Sequence, residues 1–467
     1  MASSSAATQP PEVNLDFFFR WNPEPVVRSI KHTTATGTRE PKWFDLHLDE
    51  SLQLRSVTVV DKLLPQLARI CHQYTTENPE IPQQVPLSLF SSFYTSRIYQ
   101  LSSANINAIR GPRSGGVRSG KQKAKQAPQN ESPSHNEQTV LNEKSLEELY
   151  VKEAGMFCAQ VASAFAFGPA GSDPNDPLFV WTQKAREIQT HAKADVFLNV
   201  QPSSASRSKM LPAHRDDIDR IERHKLYHPV ISEFKSLTAG DLKVMESIGA
   251  FSGNFSWIRC KQGGYTCGLA DHNRDGRYAL TGRKTGRDAV ATEDILRACG
   301  IVLSSNDWEE SEASDQVQDR YSSNTASGSG PEFVVASSSG RSQCPPTEET
   351  AMTDNKKAIF ILQQGWAEAV LNDATFIIFT SGNLEFIGIR HRATQTLFLS
   401  SLNEVATNKE TPYGLLHTAL ILRGYEDARE RALQFDDLEK MPEDKHPFLY
   451  RLSFPEMPGS RVKEGKS

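Results

Sequence analysis

The stretch His228-Pro229-Val230-Ile231-Ser232-Glu233-Phe234-Lys235 decides how this chain reads. Pro229 marks a start, Val230 and Ile231 are β-branched and Phe234 is aromatic, so the run predicts a short strand. Side chains on a strand alternate faces. Glu233 and Lys235 therefore share one face, while Phe234 points to the other, into the core. The pattern sets a carboxylate and an ammonium side by side at the end of a strand. An earlier strand is expected in Ala194-Asp195-Val196-Phe197-Leu198-Asn199-Val200, with one acid, Asp195, at its start. The polar middle of the gap between them, Gln201 to His224, reads as an insertion or a long hairpin.

Outward from this pair the periodicity changes. Ser145 opens a helix, with Glu148 three residues on completing a capping box, and Gly168-Pro169 ends it. Phe179 to His191 is expected to be a second helix leading into the Asp195 strand. After Lys235, Thr238-Ala239-Gly240-Asp241 opens a helix through Leu242, Val244, Met245 and Ile248, and Phe255 to Arg259 follows as a short strand. A helix is expected from Ala358 to about Leu371. Next comes the strongest β signal: Ala374 to Thr380, a Ser381-Gly382-Asn383 turn, and Leu384 to Arg390. Thr396 to Leu402 is a third strand and His417 to Leu433 a closing helix.

Helix, strand with Asp, strand with Glu-x-Lys, helix and further strands is an order that resembles the core of the PD-(D/E)xK nuclease superfamily. The resemblance runs over roughly Ser145 to Ser400, less a long insertion, on Asp195, Glu233 and Lys235. It implies an α/β fold: a central mixed sheet flanked by helices, a restriction-endonuclease-like core, with an N-terminal helical appendage and disordered insertions. It also implies metal-dependent hydrolysis of a nucleic-acid phosphodiester backbone. Such cleavage needs charge neutralisation on the phosphate and an activated water, and Mg2+ held by two carboxylates supplies both. Asp195 and Glu233 are then the metal ligands, with the Phe234 carbonyl as a third. Lys235 orients or deprotonates the water, or offsets developing negative charge. Gln363 or Gln364 would face the site from the later helix, and Glu148 or Glu187 would add an acid. The alternative is a catalytically inactive fold of the same kind acting as a protein or nucleic-acid interaction module.

Composition bounds the rest. The chain has 467 residues, 38% of them hydrophobic, and a net charge of -5; its mean hydropathy is -0.49. This suggests a globular part diluted by polar segments. The expected divisions are a disordered tail over 1–40, a helical appendage over 41–110 and a basic linker over 111–140. The α/β core follows in two parts, 141–303 and 356–435, split by a Ser-rich acidic insertion over 304–355 and followed by a charged tail over 436–467. Phe17-Phe18-Phe19-Arg20-Trp21 is too apolar for a free tail and is expected to dock on the globular part. Scattered cysteines without a C-x-x-C fit a reducing compartment. No apolar run approaches the roughly 20 residues that span a bilayer. The protein is therefore expected to be intracellular, nuclear or cytoplasmic, with no membrane association.

Lesser motifs remain. Lys121 and Lys123 lie in the basic linker, which is either a solvated tether or a segment for nuclear import or backbone binding. Arg390-His391-Arg392 is a phosphate contact, with Arg390 and Arg392 touching nucleic acid, or else the solvated end of a hairpin. Asp271-His272-Asn273-Arg274-Asp275-Gly276 copies half an EF-hand loop but lacks the closing acid at Gly282. Cys260, Cys267 and His272 fit no zinc-finger spacing.

Overall fold

The computed structural model describes residues 13–14, 18–28, 43–46, 48, 50–77, 84–85, 138–140, 143–152, 154–171, 176–183, 194–259, 288–302 and 353–440. Among them, nine strands form one mixed sheet. They are β1 (Ser56–Val60), β2 (Phe179–Gln183), β3 (Val196–Val200), β4 (Val230–Phe234), β5 (Gly253–Asn254), β6 (Phe376–Thr380), β7 (Leu384–His391), β8 (Thr396–Ser400) and β9 (Asn403–Glu404). Their spatial order is β2–β3–β4–β6–β7–β8–β1–β5, with β9 beside the start of β7. β4 runs parallel to β6 and β8 parallel to β1; the other pairs are antiparallel. The α/β class and central mixed sheet expected from the sequence are present.

Among the described residues, nine helices of six residues or more flank the sheet, besides a short helix over Trp43–Leu46: α1 (Leu63–Glu77), α2 (Glu143–Lys152), α3 (Ala154–Phe167), α4 (Ser204–Lys209), α5 (Pro212–Arg223), α6 (Leu242–Gly249), α7 (Val290–Ala298), α8 (Asp354–Asn372) and α9 (Tyr413–Glu439). α9 packs with α1, α3, α5 and α7 on one face, where it meets Val230, Phe234, Phe376, Ile378, Ile387 and Ile389. α8 and α6 cover the other face over Ile231, Ile377, Phe379, Phe386, Leu397 and Leu399. Covered on both sides, β4 and β6 are buried at every residue. That explains their continuous apolar runs, where a half-exposed strand would alternate. Parity puts Phe234 in the α9 core and Glu233 on the α8 face, as the alternation rule requires.

Several expectations change. Phe179–Gln183 is strand, paired with β3 in the register Phe179↔Val200, and not the start of a helix. Gln201 to His224 is not a hairpin but two helices, α4 and α5. Only Ile218 and Ile221 of α5 are buried, so a surface helix with one thin apolar stripe looks polar in sequence. Phe255 to Arg259 is not a strand; β5 is the adjacent Gly253–Asn254. The helix expected from Ser145 is two, α2 and α3. In the N-terminal part the strand-like Val57-Thr58-Val59-Val60 and the helical pattern after it are present as β1 and α1; β1 joins the central sheet beside β8, and α1 packs on α9. The aromatic knot does dock: the Phe18 ring meets Phe157 edge-on at 4.6 Å and is 1% exposed. The expected helical appendage beyond residue 85, the part of the 111–140 linker up to residue 137, the part of the 304–355 insertion up to residue 352 and the part of the 436–467 tail beyond residue 440 lie outside the described residues.

Candidate active site

β4 carries Glu233 to its end, and the chain continues in register for one more residue, since Lys235 N–H donates to Thr380 O at 2.8 Å. The turn then closes through Gly240 N–H to Ser236 O, 2.9 Å. Asp241 caps α6 by accepting from Val244 N–H at 3.1 Å. Glu233 and Lys235 are thereby fixed on one face, as a strand dictates, and the Lys235 Nζ donates to Glu233 Oε1. Glu233 is fully buried and Lys235 is 3% exposed. Burial pushes the Lys235 ammonium down, but Glu233, Glu143 and Asp195 outweigh it and hold the group above its ordinary range. Lys235 is thus a fixed cation in this arrangement, not a ready base.

Asp195 stands one step beyond the Val196↔Ser232 pair of β3 and β4, which sets it beside Glu233. Its Oδ2 accepts from Phe234 N–H at 2.8 Å, so the strand backbone orients the carboxylate. Burial, then the nearby Glu233 charge, raises its proton affinity well above that of a free aspartate. Asp195 and Glu233 are therefore brought together as expected, with the Lys235 ammonium bonded to Glu233 and near Asp195.

Three acids the motif does not contain join them. Glu143 and Glu147 lie one turn apart on α2, and one oxygen each from Glu143, Glu147 and Asp195 lie within 4.8 Å of one another. Burial, Glu143 and Glu233 push the Glu147 carboxyl up to about 7. From the opposite side, α8 projects Glu368, fully buried, toward Glu233. Desolvation, followed by the charges of Glu233, Asp195 and Asp45, raises Glu368 well above its ordinary range. Glu233 Oε2 is buried and, among the described residues, meets no N–H donor; the Glu233 side chain stands beside the Glu368 carboxyl. Five carboxyl groups thus gather about the Glu233–Lys235 pair. Neither Glu143, Glu147 nor Glu368 carries a spacing signal tying it to Asp195; only packing brings these helices to the strand ends.

The other candidates fall elsewhere. Gln363 is not turned to the acids: its amide donates to Asp45 O at 2.7 Å and Ile258 O at 2.9 Å, and accepts from Ile258 N–H at 2.9 Å. It staples the short Trp43–Leu46 helix and the irregular segment at Ile258 to α8. Its neighbour Gln364 reaches the site, donating to Glu368 Oε1 at 3.2 Å. Glu148 is on the outer side of α2, near Lys144 and Lys152 at 4.0 and 3.7 Å. Arg390 and Arg392 are not nucleic-acid contacts here, because their side chains are each 4% exposed. Arg390 donates to the Ala369 and Ala374 carbonyls and Arg392 pairs with Asp288 and Asp373, all at the far end of β6. An odd number of positions separates Arg390 from Glu385 on β7, so the two lie on opposite faces of the sheet, Arg390 toward α8. Lys121, Lys123, Glu187, the half EF-hand loop and the Cys260–Cys267–His272 group lie outside the described residues. No helix among the described residues is long and apolar enough to cross a membrane. No family model, curated protein or solved structure matches the chain.

Proposed function

We propose that this protein is a metal-dependent hydrolase of a nucleic-acid phosphodiester backbone, with the acid cluster at the ends of β3 and β4 as its active site. One observation carries the reading: Glu143, Glu147 and Asp195, half-buried, and Glu233 and Glu368, fully buried, converge on one site with Lys235 as their cation. Crowding desolvated carboxyls is costly unless a cation compensates them. One lysine does not balance five acids. Desolvation first, and then the neighbouring carboxylates, raise the proton affinities of Asp195, Glu147 and Glu368.

The donor set suits a hard divalent ion, since carboxylate oxygen is the ligand type of Mg2+ and Mn2+, and neither thiol nor imidazole takes part in it. Glu143, Glu147 and Asp195 would hold it, with Glu233 beside them. When bound, such an ion supplies positive charge for the phosphate and Lewis acidity for an attacking water. The chain's own residues do the rest. Phe234 N–H holds the Asp195 carboxylate in one orientation. Gln364 holds Glu368. Lys235, kept protonated by its neighbours, offsets negative charge as it develops on the phosphate.

The test is cleavage of labelled single- and double-stranded DNA and RNA with Mg2+ or Mn2+, alongside Asp195→Asn and Glu147→Gln. Cutting by the parent that both variants lose supports the assignment. A folded parent that cuts none of the four with either ion overturns it, and leaves a non-catalytic interaction module as the reading.

A further inference from the structure

We propose that a buried Glu385–His417–Tyr150 relay, on the face of the sheet opposite Glu233, is the positioning device that sets α2 against Asp195; its functional meaning rests on reading the acid cluster as a metal site. α2 is 10 residues long, too short to hold its place by helix propensity alone. Only Leu146 and Tyr150 of this helix are buried. Four apart, they form one anchoring stripe, and Glu143 and Glu147 sit beside it. Wherever those two anchors are held, the two acids are delivered.

Tyr150 is gripped at both ends. Its ring packs edge-on against Phe234 and Trp181, each at 5.2 Å. Its hydroxyl is 3.1 Å from His417 Nδ1. His417 Nε2 is 2.9 and 3.1 Å from the two Glu385 oxygens, so the carboxylate fixes the imidazole plane and aims its Nδ1 edge at Tyr150. Tyr413 stacks on the same imidazole with 3.7 Å between ring centroids, completing the clamp. His417 is fully buried and Glu385 is 1% exposed, so no substrate reaches the relay. A buried polar trio costs desolvation that an apolar filling of equal shape avoids, and what it supplies in return is orientation. It fixes two parts of the site: α2 through Tyr150, and the Glu-x-Lys strand through Phe234, the residue between Glu233 and Lys235.

Space around Tyr150 is also limited. A Cβ on Gly155 would stand 2.7 Å from Tyr150 Cε1 and 2.9 Å from Trp181 Cδ1. Glycine at that position lets the ring sit where the hydroxyl meets His417.

Tyr150→Phe in the full chain removes one oxygen and leaves the ring packing. Two readouts apply: Mn2+ affinity by titration calorimetry well below the melting point, and deuterium exchange of the 143–152 amides without metal. Remote partners that orient ligands change metal affinity about 10- to 100-fold. The expected result is a Kd about 10-fold weaker, faster exchange confined to α2, and α8 and α9 unchanged. Glu385→Gln, which retains an acceptor for Nε2, is expected to stay near the parent, and Glu385→Ala to match Tyr150→Phe. Parental exchange in α2 together with a Kd within about twofold overturns the proposal. If the parent binds no Mn2+, the metal-site reading falls; exchange alone then decides whether the relay positions α2, acceleration upholding it and parental exchange overturning it.

Discussion

Replacing Gly240 by Ala tests how tightly Lys235 is gripped. Gly240 does not have a left-handed backbone, so alanine meets no conformational penalty there. A loop Gly→Ala change of that kind stabilises by about 0.4–1 kcal/mol through the unfolded chain. Against this, the new Cβ lands 2.9 Å from both Lys235 Cβ and Ser381 Cβ. Both are rooted on backbone and neither is the free end of a long side chain. Each must retreat by about 0.5 Å to reach ordinary contact. Yet Lys235 N–H is held on Thr380 O at 2.8 Å and Ser381 N–H on Leu384 O at 2.9 Å. Overpacking of this sort costs about 1–3 kcal/mol, which exceeds the entropic gain. The expected outcome is a net loss of roughly 0.5–2 kcal/mol, read as a fall of a few degrees in Tm. A misplacement of about 1 Å costs about 100-fold in rate, so half of that predicts about a tenfold loss of cleavage. Denaturant melts and a cleavage time course measure both. A variant as stable as the parent, with unchanged cleavage, would show that the β4–β6 junction yields freely and that Lys235 is not held by it.

Glu233→Gln strips the buried Lys235 of its ion-pair partner. It is expected to cost about 3–5 kcal/mol in urea melts, with most of that recovered in Glu233→Gln/Lys235→Met; equal losses in both would sink the pairing argument. Glu368→Gln has the opposite sign. A carboxyl whose folded proton affinity is raised binds its proton more readily folded than unfolded, so it weakens the fold as pH climbs from the unfolded value of about 4.3 through the folded one. The variant should therefore melt above the parent at pH 8 and converge with it by about pH 3; a constant offset across that range would contradict the linkage. Asp288→Ala removes one of the two carboxylates paired with the Arg392 side chain; the Arg392 backbone N–H also bonds Asp288 at 3.0 and 2.9 Å. It should cost about 3–5 kcal/mol and leave Mn2+ affinity unchanged, because it lies at the other end of β6; weakened Mn2+ binding would count against the separation of the two clusters.

Local rules were legible in the sequence. The Ser381-Gly382-Asn383 turn needs a positive φ, and Gly382 takes it at 90°. Asp241 could be recognised as a helix cap because short polar side chains satisfy first-turn N–H groups. The shared face of Glu233 and Lys235 follows from the two-residue period of a strand, and nothing distant alters it. Phe179-Val180-Trp181-Thr182-Gln183 was less clear, since an edge strand identifies itself only when its partner, β3, is present. Gln363 and Gln364 are neighbours on one helix, and which of them meets the acids depends on how α8 is rotated against the sheet.

By itself, then, the sequence determined the α/β class, the central strands and the Asp195–Glu233–Lys235 motif, because backbone geometry and side-chain alternation act over a few residues. Only the tertiary structure decided that Glu143, Glu147 and Glu368 belong with that motif, that Arg390 and Arg392 are internal, and that Tyr150 reaches His417. Those placements depend on how α2, α8 and α9 pack on the two faces of the sheet, over separations at which no local period carries information.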